Sequence, residues 1–339
     1  MNDRHPHRRQ FLAGLAASSV LASPAIAQSA RPLEKAQLLL NWYLYGEHAP
    51  FFYGKKLGLF AAEGIDLDIM EGRGSAVTLQ AVAAKSALFG YSDMSAVVRG
   101  AIRGAPVIST GVLLQKNPAS AMGFADKNIR TAADLKGKTV ATTPGDALSQ
   151  VWPAFLKKAG LTEADVKILA GDAQTKLNAV ISGQADVLLG YSHDQSMKIK
   201  DATGKAVFPV MFADYGINSV ATGIIAHRDT LSGNADLVRR FMKAATLSAE
   251  AAEKAPQAAA EAMLEADPKA GKKDTLTEGF TISAGLYRLS PDQRPFQTNA
   301  KAVADTVDIL VEYGGVDAAA KGRVQSFFTT DFLPGRATN

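Results

Sequence analysis

The sequence predicts an α/β protein of two lobes, each a parallel-type sheet flanked by helices. Three observations carry this. Two strands end in the same tripeptide, Gly90-Tyr91-Ser92 and Gly190-Tyr191-Ser192. Each follows a helix end, a small-residue turn and a short apolar run, Ala83 to Phe89 in one case and Ile181 to Leu189 in the other. A β-α-β-α-β rhythm runs through each half of the chain, as parallel sheets covered by helices require. Residues 28–339 also exceed what one hydrophobic core comfortably holds. In open α/β sheets ligands bind beyond the carboxyl ends of strands, so two matching ends point to one shared cleft. Chance is the plainer source of so short an echo, and the rest of the chain has to decide.

Element by element, the chain opens with Arg8-Arg9-Gln10-Phe11-Leu12, an uncharged apolar run from Ala13 to Leu21, and a small-x-small site at Ala25-Ile26-Ala27. That order predicts a twin-arginine export signal over residues 1–27, too short to span a bilayer permanently. The formal charge of +4 drops by two without Arg4, Arg8, Arg9 and Asp3, and no Lys/Arg cluster marks a nucleic-acid surface. With no cysteine, disulfides, Cys-bound metals, thiol nucleophiles and a lipidated N-terminal cysteine are excluded. The expectation is a free periplasmic protein and a monomer, not membrane-spanning once the signal is removed.

Leu38 to Trp42 reads as a strand, Pro50 to Ala62 as one helix stopped by Gly64, and Ile65-Asp66-Leu67-Asp68-Ile69 as a half-buried strand. Ser75 is placed to cap a helix to Lys85 with Val77, Ala81 and Val82 on one face. A strand from Leu88 to Tyr91, a helix from Ala96 to Arg103 and a strand from Val107 to Leu114 follow. The second unit begins after Asn117-Pro118. It comprises a short helix and strand around Asp134 to Ala141, a helix opened by Pro144-Gly145-Asp146 and ending at Gly160, a strand from Val166 to Leu169, a helix from Thr175 to Ile181, and strands from Val187 to Tyr191 and Val207 to Phe212. Thr222 to Ala226 reads as a strand returning to the first lobe. Helices then fill Asn234 to Lys254, Pro256 to Ala266, Thr275 to Leu286 and Ala300 to Tyr313, read as cladding. The expected organisation is residues 28–117 plus 222–339 as a discontinuous first lobe and 118–221 as the second, joined by a hinge of two segments.

Several of these residues also carry a family resemblance. Asn41-Trp42, His48-Ala49-Pro50 and Lys56-Leu57-Gly58-Leu59-Phe60-Ala61-Ala62-Glu63-Gly64-Ile65-Asp66-Leu67 resemble the opening of periplasmic solute-binding proteins of ABC importers. The match is to the nitrate/sulfonate/taurine type, closest to its thiamine-pyrimidine-precursor branch. Gly72-Arg73-Gly74-Ser75, Gly90-Tyr91-Ser92-Asp93, Ala133 to Val140 and Asp236 to Phe241 fit the same order, so the resemblance covers about residues 36 to 245. It implies a type II periplasmic-binding-protein fold closing on a small molecule, an importer permease as partner, no cofactor and no nucleic acid.

The candidate ligand-binding residues are Trp42, His48, Gly74, Ser75, Tyr91, Ser92, Asp93, Asp146, Tyr191 and Asp194. Trp42, Tyr91 and Tyr191 stand at strand ends, where aromatic faces sandwich planar rings or simply plug the seam between lobes. The resemblance implies that His48 contacts the ligand ring; a helix-capping or surface histidine is the plainer role. Gly74-Ser75 with Arg73 forms a possible anion seat at a helix start, or an ordinary N-cap. Relatives that bind anions carry a small hydroxyl pair where this chain has Gly145-Asp146, and a carboxylate there would repel an anion. Asp194 stands where pyrimidine-precursor binders carry a Glu that reads ring nitrogens. The expected ligand is therefore a planar nitrogen heterocycle, with a nitrate, sulfonate or taurine-like anion as the alternative. The enzymes of this fold, pyrimidine-precursor synthases, carry a cysteine-rich iron motif that this chain lacks. With no nucleophile elbow, P-loop or metal-spaced histidine pair among His48, His193 and His227 either, binding without catalysis is the expectation.

Overall fold

The computed structural model describes residues 32–335; the expected export signal, residues 1–27, lies outside them. The elements in chain order are β1 (Glu34–Leu39), α1 (Ala49–Lys56), α2 (Leu59–Ala62), β2 (Ile65–Met70), α3 (Ser75–Ala83), β3 (Phe89–Asp93), α4 (Met94–Ile102), β4 (Val107–Val112), β5 (Ala119–Phe124) and β6 (Thr139–Thr142). There follow α5 (Ala147–Lys158), β7 (Lys167–Ala170), α6 (Ala173–Ile181), β8 (Val187–Tyr191), α7 (Gln195–Thr203), β9 (Val207–Met211) and β10 (Thr222–His227). The chain ends in α8 (Arg228–Gly233), α9 (Ala235–Lys254), α10 (Pro256–Ala266), α11 (Lys273–Ala284) and α12 (Ala300–Glu312).

Two five-stranded sheets share one plan: β2-β1-β3-β10-β4 and β7-β6-β8-β5-β9. In the first, β1 runs parallel to β2 and β3, whereas β10 is antiparallel to β3 and β4. In the second, β6 runs parallel to β7 and β8, whereas β5 is antiparallel to β8 and β9. The two-lobe α/β expectation holds, and each sheet adds one reversed strand that the β-α-β rhythm does not predict. The reason is connectivity. β5 enters the second sheet directly from the first and β10 returns directly from the second, so neither has a crossover helix to restore its direction.

Local chemistry explains the other departures. β2 alternates as expected, with Ile65 and Leu67 buried and Asp66 and Asp68 exposed. The single helix expected over Pro50 to Ala62 is two, because Gly58 adopts φ 72°, a left-handed conformation that ends α1. In α3 the N-cap is Gly74, and the inward face carries Thr78, Leu79 and Val82 while Val77 is exposed. The expected face was therefore turned: the Thr78 hydroxyl, bonded to the Leu40 carbonyl at 2.7 Å, takes the inward position. β5 and α7 have no counterpart in the sequence reading. Ala-Ser-Ala-Met-Gly-Phe lacks the β-branched residues that announce a strand, and α7 is too polar to show an apolar stripe. Beneath the first sheet Phe89 stacks on Phe241 at 3.9 Å, and in the second lobe Phe155 stacks on Phe212 at 4.2 Å.

Candidate functional site

Between the two sheets the facing strand ends meet. The first lobe contributes the loop after β1, from Asn41 to His48, together with the starts of α3 and α4. The second contributes the starts of α5 and α7, the end of β8, and Lys176 from α6. Their meeting encloses an inner cavity lined by Asn41, Trp42, Tyr45 and Ser75 on one side, and by Asp146, Lys176, Tyr191 and Gln195 among others on the other. Its volume, counted as the space open to the centre of a water, is about 30 Å³. That holds a water or two and no ring.

The expected site residues divide into two layers. Trp42, Ser75, Asp146 and Tyr191 stand in the cavity wall. Gly74 lies beside it with φ 125°, and a Cβ there would sit 3.8 Å from the Trp42 ring and 3.9 Å from Asp146 Cα. Ser75 does not cap its helix; its hydroxyl accepts from the Asp93 amide at 3.2 Å, and its carbonyl accepts from the Ser92 hydroxyl at 3.1 Å. Asp93 caps α4 by accepting from the Ser95 amide at 2.9 Å and hydroxyl at 2.6 Å, and it also accepts from the Tyr191 hydroxyl across the cleft at 3.0 Å. Tyr91 and His48 are wholly buried in the first lobe and do not line the cavity. Arg73 is exposed and lines neither this cavity nor the basin beside it. Asp194 lines that basin, which offers about 320 Å³ by the same measure and is separated from the inner cavity by Tyr45, a wall of both.

Two charged groups that the sequence reading passed over organise this region. Glu47, fully buried, accepts from the Tyr45 and Tyr91 hydroxyls at 2.5 Å each, from the Thr222 hydroxyl, and from His193 Nε2 of the second lobe at 3.2 Å. Burial alone would push its pKa up, but the His193 hydrogen bond and charge and the Thr222 hydroxyl outweigh it and hold the carboxyl at about 2. His48 goes the other way. Burial drives it down to about 3, so it stays neutral, donating from Nε2 to the Asn41 amide oxygen at 2.8 Å.

Lys176 is the second such group. It is 1% exposed, donates to the Leu189 carbonyl at 2.8 Å, pairs with Asp146 at 3.3 Å and lies 4.9 Å from the Trp42 ring centroid. Asp146 caps α5 as expected, accepting from the Ser149 amide at 2.7 Å. The expected repulsion of an anion by Asp146 needs correcting, because Lys176 offsets that charge at the cavity wall. The sequence did hold a sign of it: Lys176, Ala179 and Val180 share the buried face of α6, where a lysine is out of place.

Further cross-cleft contacts close the seam. Tyr43 donates to Asp194 Oδ2 at 3.0 Å and accepts from the Gln195 side-chain amide at 3.2 Å, which also donates to the neighbouring Asp194 Oδ2. Burial raises the pKa of Asp93 and Asp194 above the usual carboxylate range. Among the described residues no cluster of His, Cys, Asp and Glu could hold a metal ion, and no helix is long and apolar enough to cross a membrane.

Known proteins share this architecture. The riboflavin-binding protein RibY of Chloroflexus aurantiacus is 24% identical over 330 residues, covering 92% of each chain. The 4-amino-5-hydroxymethyl-2-methylpyrimidine phosphate synthase of Legionella pneumophila is 24% identical over 238 residues, 69% of this chain and 74% of that one. Among solved structures, the alkanesulfonate-binding protein SsuA of Xanthomonas axonopodis pv. citri, bound to MOPS, superposes with a TM-score of 0.65 at 15% identity, over 84% of this chain and 94% of that one. The likeness establishes the periplasmic-binding-protein fold. With the family model matching residues 46–259, more than half its length, the chain belongs to the NMT1/THI5-like family.

Proposed function

We propose that this chain is the extracytoplasmic solute-binding protein of an ABC importer and that its ligand is a small planar nitrogen heterocycle. The observation that carries the ligand class is the composition of the inner cavity wall. Trp42 and Tyr191 face it from opposite lobes, and the charged side chains that line it among the described residues, Lys176 and Asp146, are paired with each other. A ring entering between the aromatics gains stacking of about 0.5–1.5 kcal/mol per pair beyond area burial. An anion would have to compete with Asp146 for a lysine that already serves the Leu189 carbonyl. Relatives named for riboflavin and for a pyrimidine phosphate agree with this class; the sulfonate-binding neighbour keeps the anionic alternative in view.

The cavity admits a ring only when the lobes part, because at about 30 Å³ it is too small for one and cross-cleft bonds such as Tyr191 to Asp93 and Tyr43 to Asp194 hold the lobes together around it. Opening past Tyr45 joins the cavity to the basin and brings Asp194 to the ligand's donor groups. Calorimetry decides between the readings. A 4-aminopyrimidine should bind, and taurine should not. Asp194→Ala should weaken pyrimidine binding by about tenfold, as loss of one buried hydrogen bond implies. Tight taurine binding that survives Asp194→Ala selects the anionic reading. Turnover of a pyrimidine substrate would select the enzyme reading, against which stands the placement of His48 and His193 outside the inner cavity wall.

Export through the twin-arginine route belongs to the same proposal. Replacing Arg8 and Arg9 by lysine should leave precursor in the cytoplasm, and unchanged processing on an immunoblot would exclude that route.

A further inference from the structure

We propose that the basin beside the inner cavity is a second compartment of the same binding site and receives a neutral, hydroxyl-bearing arm attached to the ligand's ring; this rests on the ring-clamp reading. The basin is large enough to matter, at about 320 Å³ against about 30 Å³ for the inner cavity, and Tyr45 is their shared wall. A surface hollow of this size is ordinary by itself. What distinguishes this one is the polar chemistry held in its wall.

His193 is 1% exposed and lines the basin. Its Nε2 faces the Glu47 carboxylate, which can only accept, so that nitrogen carries a proton. Its Nδ1 has no partner. A buried polar atom left unpaired costs about 1–3 kcal/mol, and such atoms are rare unless a ligand or water completes them. Asp194 stands next to it in the wall, 3% exposed, already accepting from Tyr43 and Gln195 through Oδ2. Opposite in character is Lys198, half-buried with its ammonium 3.5 Å from the Tyr43 ring centroid and in no salt bridge among the described residues. The remaining carboxylate, Asp201, is already tied to Lys272 at 3.8 Å and to the Thr275 hydroxyl.

The polar groups of the wall with free valences are thus His193 Nδ1, the Asp194 carboxylate and the ammonium groups of Lys198 and Lys269, the latter also in no salt bridge among the described residues. A carboxylate or phosphate arm would meet Asp194, and an ammonium arm would meet Lys198. A hydroxyl, at once donor and acceptor, can donate to Asp194, accept from a lysine and pair with His193 Nδ1, so it satisfies the wall without a charge conflict.

Two ligand pairs test this, each differing only in the arm: riboflavin against lumiflavin, and 4-amino-5-hydroxymethyl-2-methylpyrimidine against its 5-methyl counterpart. For whichever ring binds, the hydroxylated member should bind about tenfold tighter, as one well-placed hydrogen bond to a buried group implies. Ala202→Trp, which fills the basin from an exposed position in α7, should abolish that advantage while leaving the plain ring's affinity in place. Equal affinity within each pair, or an advantage that survives Ala202→Trp, overturns the basin assignment and leaves the ring clamp standing. Binding of neither pair overturns both.

Discussion

Tyr91 and Tyr191 close the same tripeptide at the same place in two sheets of the same plan, yet they do different work. Tyr91 is fully buried, and its hydroxyl turns inward to Glu47 and to Thr222, the latter at 2.9 Å. Tyr191 is 6% exposed, lines the inner cavity, and sends its hydroxyl across to Asp93 of the other lobe. Backbone position does not separate them, since each follows a glycine and pairs with the reversed strand of its sheet, Tyr91 opposite Ile224 and Tyr191 opposite Ala119. The difference lies in what stands nearby. The first lobe carries the long aromatic loop after β1, which brings Glu47 over the end of β3. The end of β8 is instead flanked by the start of α7, with His193 stacked on the Tyr191 ring at 5.6 Å, and opens on the cavity. A repeated motif therefore fixes where a side chain stands, and the surrounding loop decides whether it supports the lobe or faces the cleft.

The largest effect should come from removing the group that sets the Tyr91 side of the comparison. Glu47→Ala strips four donors of their shared acceptor inside the protein, including His193 from the opposite lobe. Breaking a buried, charged cluster of this kind costs about 3–5 kcal/mol, which should appear as a large fall in the urea midpoint. A midpoint close to that of the unaltered protein would mean that the cluster contributes little to folding.

Acid should reach the same cluster by titration. His48, held at about 3 in the folded chain against an ordinary 6.5, is protonated more readily when unfolded. Unfolding therefore takes up protons and is favoured as pH falls from 6.5 toward 3. Glu47, held at about 2 against 4.5, adds a second loss between 4.5 and 2, where its carboxylate is protonated in the unfolded chain first. These two signs agree and favour unfolding on acidification, against the opposite contribution of Asp93 and Asp194, whose burial raises their pKa. His48→Gln should flatten the leg that begins near 6.5 and leave the lower one. Urea midpoints measured from pH 7 to 3 test this, and the same slope in both proteins down to pH 4.5 would contradict the buried neutral state of His48.

These two experiments also mark the limit of what the sequence conveys. The repeated tripeptide and the alternation of Ile65 to Ile69 carry the two-sheet plan, because strand patterns are local. Tyr191 and Asp146 at the cavity follow from standing at a strand end and a helix start, whereas Trp42, expected to end a strand from Leu38, lies in the loop three residues beyond β1. Glu47 and Lys176 were not legible in the same way, since each is explained only by partners distant in the chain: Thr222 lies 175 residues from Glu47, and Asp146 lies 30 from Lys176. Asp194 was placed correctly at the end of β8, but Tyr43, 151 residues away, draws it toward the basin side of the wall. Charge neutralisation across a cleft is a tertiary fact, and an argument from one member of the pair, as with Asp146 alone, assigns the wrong field to the site.

The smallest effects distinguish the two tyrosines most directly. Tyr91→Phe removes one of four donors to Glu47 and leaves the others in place, so stability should fall by about 1–2 kcal/mol with ligand affinity unchanged. In Tyr191→Phe, Asp93 keeps the Ser95 amide and hydroxyl, so no buried carboxylate is left bare and the urea midpoint should hardly move. The lost bond, however, joins the lobes and exists only while they are together. Losing about 1 kcal/mol from the closed form alone shifts the population toward the open form about fivefold. Affinity should fall by that factor, provided the ligand stacks on the ring without needing the hydroxyl. Unfolding and calorimetry on both variants therefore give crossed results: stability without affinity for Tyr91→Phe, affinity without stability for Tyr191→Phe. If Tyr191→Phe destabilised the fold while Tyr91→Phe weakened binding, the assignment of one tyrosine to the lobe and the other to the cleft would be reversed.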